Sequence, residues 1–365
     1  VAKLVDQPLN LLEYEQLARE CLSPMVFDYY RSGAEDEVTL QDNRAAFSRI
    51  KLRPRMLVDV SSIDLTTEVL GQPLQLPLLI APMAFQCLAH PDGEIATARA
   101  AASAGVGLVL STLATKSLEE VAAVGSNYSQ WFQLYIHKDR GLTRALVERA
   151  HKVGFQALCL TVDTPVLGRR EADMRHGFTL PPNLHLANLR TNIPYEQGQS
   201  GLFTYFAQQL DSALTWQDLE WLQSLSPLPL VLKGILRGDD AVRAVESGAK
   251  GIIVSNHGGR QLDGAISSLE ALAEIVAAVA GQAEVLLDGG IRRGTDIIKA
   301  IALGAKAVLV GRPILWGLAV AGQPGVAHVI SLLQAELNVA MALSGLAKLQ
   351  DIHPSLVHPC CSTVK

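Results

Sequence analysis

The sequence predicts an α/β fold: a (β/α)8 TIM barrel with an N-terminal helical cap and a long loop after strand four. Three observations lead there. Eight short apolar, often β-branched runs follow one another from residue 77 onward, most are followed by a helical pattern, and the 76 residues before them are too few for an independent cofactor domain. Strands alternating with helices require crossover connections and hence a parallel sheet, and eight such units are the number that closes into a barrel. An open doubly wound sheet is the main alternative.

Taken in order, residues 1–76 hold a helical stretch around Leu11 to Ser32 and the extended-looking KLRPRMLVDV, read as a cap on the barrel. The barrel, 77–322, has its strands in PLLIAP, GVGLVLS, WFQLYI, ALCLTVD, PLVLKG, GIIVSNH, EVLLDGG and AVLVGRP. Between the third and fourth, Leu142, Ala145, Leu146, Ala150 and Val153 fall near one helical face, and Gly154 supplies a stop. After the strand ending at Asp163 come about fifty residues before the helical WQDLEWLQSL, far more than a usual connection. With PPNLH, NIPYEQGQSG and an apolar FTYFAQQL tail, this loop is read as a cover over the active site. Residues 323–365 form a C-terminal helical segment and tail.

Composition narrows the function. With 49% hydrophobic and 18% charged residues the chain can bury a sizeable core. A net charge of -5 and a pI near 6.0 give no basic footprint for nucleic acid. Five cysteines, at 21, 87, 159, 360 and 361, are odd in number and widely spaced, which suits a reducing compartment. No apolar stretch approaches the roughly 20 residues of a bilayer span, and VAKLVDQPLN lacks a signal-type apolar run, so a cytoplasmic location without membrane contact is expected. The ending HPCCSTVK carries no peroxisomal tripeptide.

Polar residues at strand ends carry the chemistry. In a strand, residues i and i+2 share a face, and in a barrel that face looks into the core or, at the C-terminal end, into the active-site mouth. Gln133 and Tyr135, Thr161 and Asp163, and Ser255 and His257 end three strands, and Lys233 ends the fifth at a similar height. A strand-end Gln or Thr alone reads more often as a satisfied structural group than as a ligand, but together these residues place acids, bases and donors on one rim. DGGIRRG at 288–294 and VGRP at 310–313 set Gly-flexible backbone beside Arg292 and Arg312. With the helix N-terminus after Gly294, they suggest the phosphate site this fold often places there. SNHGGRQLDG puts His257 and Arg260 just past strand six; no second histidine lies at ligand spacing, so a metal site is not expected.

DYYRSGAEDEVTL, LTVDTPVLGRRE, LVLKG, SNHGGRQLD, LDGGIRRGTD and VGRP together resemble the FMN-dependent (S)-2-hydroxy-acid oxidases and dehydrogenases, a family that includes glycolate and lactate oxidases, over nearly the whole chain. The resemblance implies one catalytic domain over 1–365, FMN as cofactor, a small 2-hydroxy acid and dioxygen as reactants, and a homotetramer. It implies His257 as active-site base, Asp163 orienting it, Arg170 and Arg260 on the substrate carboxylate, and Tyr29 and Tyr135 as hydrogen-bond donors. Lys233 would stand by the flavin ring and speed its reduction. Pro82, Met83, Ala84, Ser111, Gln133, Thr161 and Ser255 would touch ring or ribityl chain, and Asp288, Gly289, Gly290, Arg292, Gly311 and Arg312 the ribityl and phosphate.

Two departures bear on substrate. Glycolate oxidases typically carry Trp where this chain has Leu113, and Thr where it has Met83. An aliphatic Leu113 leaves room beside the substrate C2 substituent, which shifts the expectation from glycolate toward L-lactate. A dehydrogenase using a non-oxygen acceptor is the alternative within the family, and a phosphosugar isomerase or aldolase the alternative on the same fold.

Overall fold

The computed structural model describes residues 7–189 and 200–359. NIPYEQGQSG therefore lies almost wholly outside the described residues, as do Cys360 and Cys361. Eight parallel strands close into a barrel in chain order, which excludes the open sheet: Leu78–Ile80, Gly107–Leu110, Gln130–Leu134, Ala157–Thr161, Leu230–Ile235, Gly251–Val254, Glu284–Asp288 and Ala307–Val310. The ring shuts where Val308, Leu309 and Val310 pair with Leu78, Leu79 and Ile80.

The inward face explains the location of the site. Leu79, Val109, Trp131, Cys159, Val231, Ile253, Leu286 and Leu309 all point into a buried plug. Two residues further along each chain, the same face carries Ala81, Ser111, Gln133, Thr161, Lys233, Ser255, Asp288 and Gly311, so an apolar layer gives way to a mostly polar one at the C-terminal mouth. Several strands end earlier than their apolar runs suggest. Tyr135, Asp163 and His257 lie just past strands ending at Leu134, Thr161 and Val254, where the backbone is released from the ladder.

The crossover helix Arg140–Lys152 is capped by Asp139, whose side chain accepts from the N–H groups of Gly141 and Leu142. Its buried face is Thr143, Leu146, Val147 and Ala150 rather than the expected stripe, since Ala145 is exposed. Burying Leu146 and Val147 contributes about 1.5–3 kcal/mol each. Gly154, at φ 95°, ends the turn as expected.

In the cap, the expected single helical stretch is two helices, Leu11–Cys21 and Pro24–Arg31, because Ser23 caps the second and Pro24 can only begin a helix. A third, Val38–Ser48, was not foreseen. Ile50–Leu52, at the start of the extended segment, pairs antiparallel with Val357–Pro359 and ties the cap to the C-terminal segment. The expectation that no apolar stretch nears membrane length needs correction: helix Arg312–Ser344 is long and apolar enough by those measures. Non-helical Ala321 and Gly322 break it ahead of Pro324, and its faces pack against Leu11–Cys21, Gly93–Ala104 and Gly294–Ala302.

Candidate active site

At the barrel mouth lies a cavity of about 1050 Å³, counted to its opening. It is lined by Pro82, Met83, Ala84, Ser111, Leu113, Gln133, Tyr135, Thr161, Lys233, His257, Asp288, Gly289, Gly290, Arg292, Gly311 and Arg312 from the barrel, Arg170 and Arg260 from its loops, and Tyr29 from the cap. Asp163 and Ser255 stand one layer behind, each bonded to a lining residue. Every sequence-predicted site residue is thus gathered into one place.

His257 Nδ1 lies 2.9 Å from Asp163 Oδ1, and Thr164 Oγ1 donates to the same carboxylate oxygen at 3.0 Å. Gln261 fastens the loop by donating to the Asp163 carbonyl at 2.9 Å. His257 itself sits at φ 59°, a left-handed conformation uncommon for a residue with a Cβ, held by its N–H donating to Ser255 Oγ at 3.0 Å. Nε2 has no protein partner among the described residues. Burial depresses the His257 imidazole below its ordinary value, with Asp163 opposing the shift. For Asp163, burial works against the charge, but His257 and Lys233 outweigh it and hold the carboxyl below the usual range.

Gly234 makes this dyad possible. At φ 114°, a Cβ there would come within 2.5 Å of the Asp163 Cβ, so only glycine lets strand five pass so close. One residue earlier, Lys233 Nζ lies 2.8 Å from Asp288 Oδ2 and donates to Ser255 Oγ at 2.9 Å. Burial opposes the Lys233 charge, but Asp288 and Asp163 raise its pKa well above the ordinary lysine value. The other Asp288 oxygen, Oδ1, is buried without a partner among the described residues, and so is Arg292 Nε.

Arg260 Nη1 donates to the carbonyls of Tyr29 and Ser32 at 2.7 and 2.9 Å, and its guanidinium lies 5.1 Å over the Tyr29 ring. Arg170 Nε donates to the Arg260 carbonyl at 3.3 Å. Two guanidiniums are thereby fixed side by side. Burial, then Arg260, lowers Arg170 to about 10, a measure of how much this region favours an incoming anion. Arg292 is likewise lowered to about 10 by burial and then by Arg44, and Arg312 falls well below its usual value through burial and Arg260. Burial raises the Tyr29 phenol to about 12 and Tyr135 higher still, so both remain protonated donors.

One expected feature is corrected. The N–H groups opening helix Gly294–Ala302 are taken by protein: Arg292 and Arg293 donate to Asp296 Oδ2 at 2.9 and 3.0 Å, and Gly294 to Glu336 Oε2 at 2.9 Å. Arg293 also pairs with Glu336 at 2.6 Å, outside the cavity. The helix that faces the cavity with its N-terminus is the next one, starting at Gly311 and Arg312.

Sequence reasoning missed Tyr30, Gly258, Ile291, Leu202, Phe206 and Leu315 in the lining. Tyr30 adjoins Tyr29 in DYYRSG, and Phe206 belongs to the FTYFAQQL tail, so both had signals. That tail is helix Gly201–Gln209, and its Leu202 and Phe206 form a wall of the cavity near Tyr135.

Comparison with known proteins agrees. A family model described as FMN-dependent dehydrogenase matches residues 18–359. An L-lactate oxidase from Nostoc sp. is 77% identical over 97% of this chain and 99% of that protein. Glycolate oxidase 1 from Zea mays is 53% identical over 94% of each. The crystal structure of mandelate oxidase with (S)-4-hydroxymandelic acid superimposes with TM-score 0.91 at 45% identity, covering 96% of this chain and 98% of that one. The geometry and these likenesses lead to one conclusion: the chain belongs to the FMN-dependent dehydrogenase family.

Proposed function

We propose that this protein oxidises small (S)-2-hydroxy acids, (S)-lactate ahead of glycolate, to 2-oxo acids with FMN, and that dioxygen is the final acceptor, leaving as hydrogen peroxide. The observation that carries the reading is the His257–Asp163 pair set beside Arg170 and Arg260 in one cavity. The 77% identity to an L-lactate oxidase supports both substrate and acceptor.

The residues fit FMN. Asp288 Oδ1 and Arg292 Nε are buried polar atoms in the cavity wall without partners among the described residues, and such atoms call for a ligand. Arg292, Arg312 and the backbone at Gly289, Gly290 and Gly311 would hold the phosphate. Asp288 would hold the ribityl chain, and Pro82 to Ala84, Ser111, Gln133, Thr161 and Lys233 the ring. Ser255, expected among these contacts, sits behind the cavity wall and fixes Lys233 and the His257 backbone. When bound, FMN supplies the two-electron acceptor for the hydroxy acid and the donor to dioxygen.

The chain's own residues do the rest. Arg170 and Arg260 take the substrate carboxylate, since a planar guanidinium matches a carboxylate's two oxygens. Tyr29 and Tyr135 donate to substrate oxygens. His257, neutral because burial depresses its pKa, accepts the substrate proton at Nε2, and Asp163 stabilises the imidazolium that results. Lys233, held charged by Asp288 and Asp163, would set a positive charge beside the ring. Leu113 forms an aliphatic wall that admits a methyl group at C2.

As part of the same reading, residues 1–365 act as one catalytic domain, assembled as a homotetramer in the cytoplasm. Cys21, Cys87 and Cys159 as free thiols support a reducing compartment. The experiment is to mix the yellow protein anaerobically with (S)-lactate, glycolate and a longer hydroxy acid, follow bleaching, then admit oxygen and assay peroxide. Bleaching fastest with (S)-lactate, followed by stoichiometric peroxide, is expected. Bleaching without peroxide on reoxidation would assign a different acceptor.

A further inference from the structure

A second cavity, of about 1150 Å³ counted to its mouth, lies beside the catalytic one, and Tyr135 and Thr161 form part of the walls of both. Its inner side is the ends of strands three to five, through Ile136, Leu232 and Ile235. Its outer side is the segment after the helix of the long loop, through Leu210, Leu214 and Leu219.

The two cavities differ in charge. Lys233 and four arginines line the first. Among the described residues, the wall of the second has no lysine, arginine or histidine, and its carboxylates are Asp211, paired with Arg140 at 2.7 Å, and Asp240. Carboxylates of substrate and product are therefore drawn to the first and turned away from the second. Polar groups such as Thr164 and Thr215 share its wall with Ile136, Leu214, Leu219 and Leu232, and this apolar part suits a small neutral molecule. In the reaction proposed above, that molecule is dioxygen.

We propose that this second cavity gathers dioxygen and delivers it past Tyr135 and Thr161, while hydroxy acid and oxo acid pass through the cationic mouth. The proposal rests on the oxidase reading. In the step it serves, dioxygen takes up the two electrons and two protons removed from the hydroxy acid and leaves as hydrogen peroxide.

Crystals of the FMN-loaded enzyme pressurised with xenon test the cavity directly. Xenon bound between Leu214, Leu219 and Leu232 is expected, and no xenon there overturns the proposal. Leu219→Trp fills the cavity from a buried position, and Leu214→Phe fills it more mildly from a half-buried one, so a fold lost in the first leaves the second to decide. Both variants should bleach anaerobically with (S)-lactate at the wild-type rate and reoxidise several-fold more slowly with dioxygen. Reoxidation by ferricyanide, an anion that the acid-rimmed cavity excludes, should not change. Unchanged reoxidation by dioxygen in a xenon-free variant overturns the proposal, and so does an equal slowing with ferricyanide. A wild-type enzyme that does not bleach overturns the oxidase reading instead.

Discussion

Nδ1 of His257 and Oδ1 of Asp163 stand 2.9 Å apart although the residues are 94 positions apart in the chain. With that nitrogen engaged, the imidazole can present only Nε2 to a substrate, and removing the ring removes the base. His257→Gln is expected to leave FMN bound and to slow anaerobic bleaching by about 10²–10⁴-fold. Stopped-flow absorbance at the flavin bands measures it, and wild-type bleaching would sink the assignment.

The pH profile follows from the same pair. The folded-state pKa of His257 lies below the ordinary 6.5 because burial outweighs Asp163. The base is therefore neutral at pH 7, and activity is lost as pH falls through the depressed value, so the acidic limb of kcat/KM should lie below 6.5. Asp163→Asn takes away the group that raises the value, which moves the limb further toward acid while kcat drops. A wild-type limb above neutrality would contradict this.

Lys233 and Asp288 are both buried and 2.8 Å apart. Lys233→Met leaves a carboxylate charge unpaired, which costs about 3–5 kcal/mol and slows flavin reduction. Thermal melting of the two proteins with FMN bound gives the first, and anaerobic bleaching the second. Lys233→Arg, which keeps the charge, should recover part of the stability.

Leu113→Trp should cut (S)-lactate turnover relative to glycolate by about tenfold or more, because an indole takes the space that a C2 methyl needs. The ratio of kcat/KM values for the two acids is the readout. An unchanged ratio would mean that Leu113 only repacks against its neighbours.

Gly234→Ala places a Cβ against Asp163, at a spacing of 2.5 Å in the present backbone. Strain of about 1–3 kcal/mol is expected, with the carboxylate pushed off His257. A lower kcat at nearly unchanged FMN affinity would show it, and kcat at the wild-type level would refute it.

The barrel was legible because strand and helix periodicities alternate cleanly from Pro77 to Pro313. The polar layer was legible because i and i+2 share a face, so Gln133, Thr161 and Lys233 had to converge. Helix Val38–Ser48 was hidden for a physical reason. Its N-cap is Glu37 in a left-handed conformation whose side chain makes no capping bond, and its first N–H groups donate instead to Asp263, more than two hundred residues later. Glu336 capping the Gly294 helix is the same kind of fact. Local patterns carry local caps; partners supplied from afar leave no mark near the element they stabilise.

The carbonyls of Tyr29, Tyr30 and Ser32 accept from Arg260 and Arg312. On the ribosome those acceptors emerge well before their donors, so the cap gains its full set of contacts only after Arg260 and then Arg312 have left the exit tunnel. Completion of the catalytic centre is thereby bound to synthesis of the chain as far as Arg312. A nascent fragment stalled before Arg312 lacks the bonds that this side chain makes to the carbonyls of Tyr30 and Ser32, so its cap is held by Arg260 alone of the two.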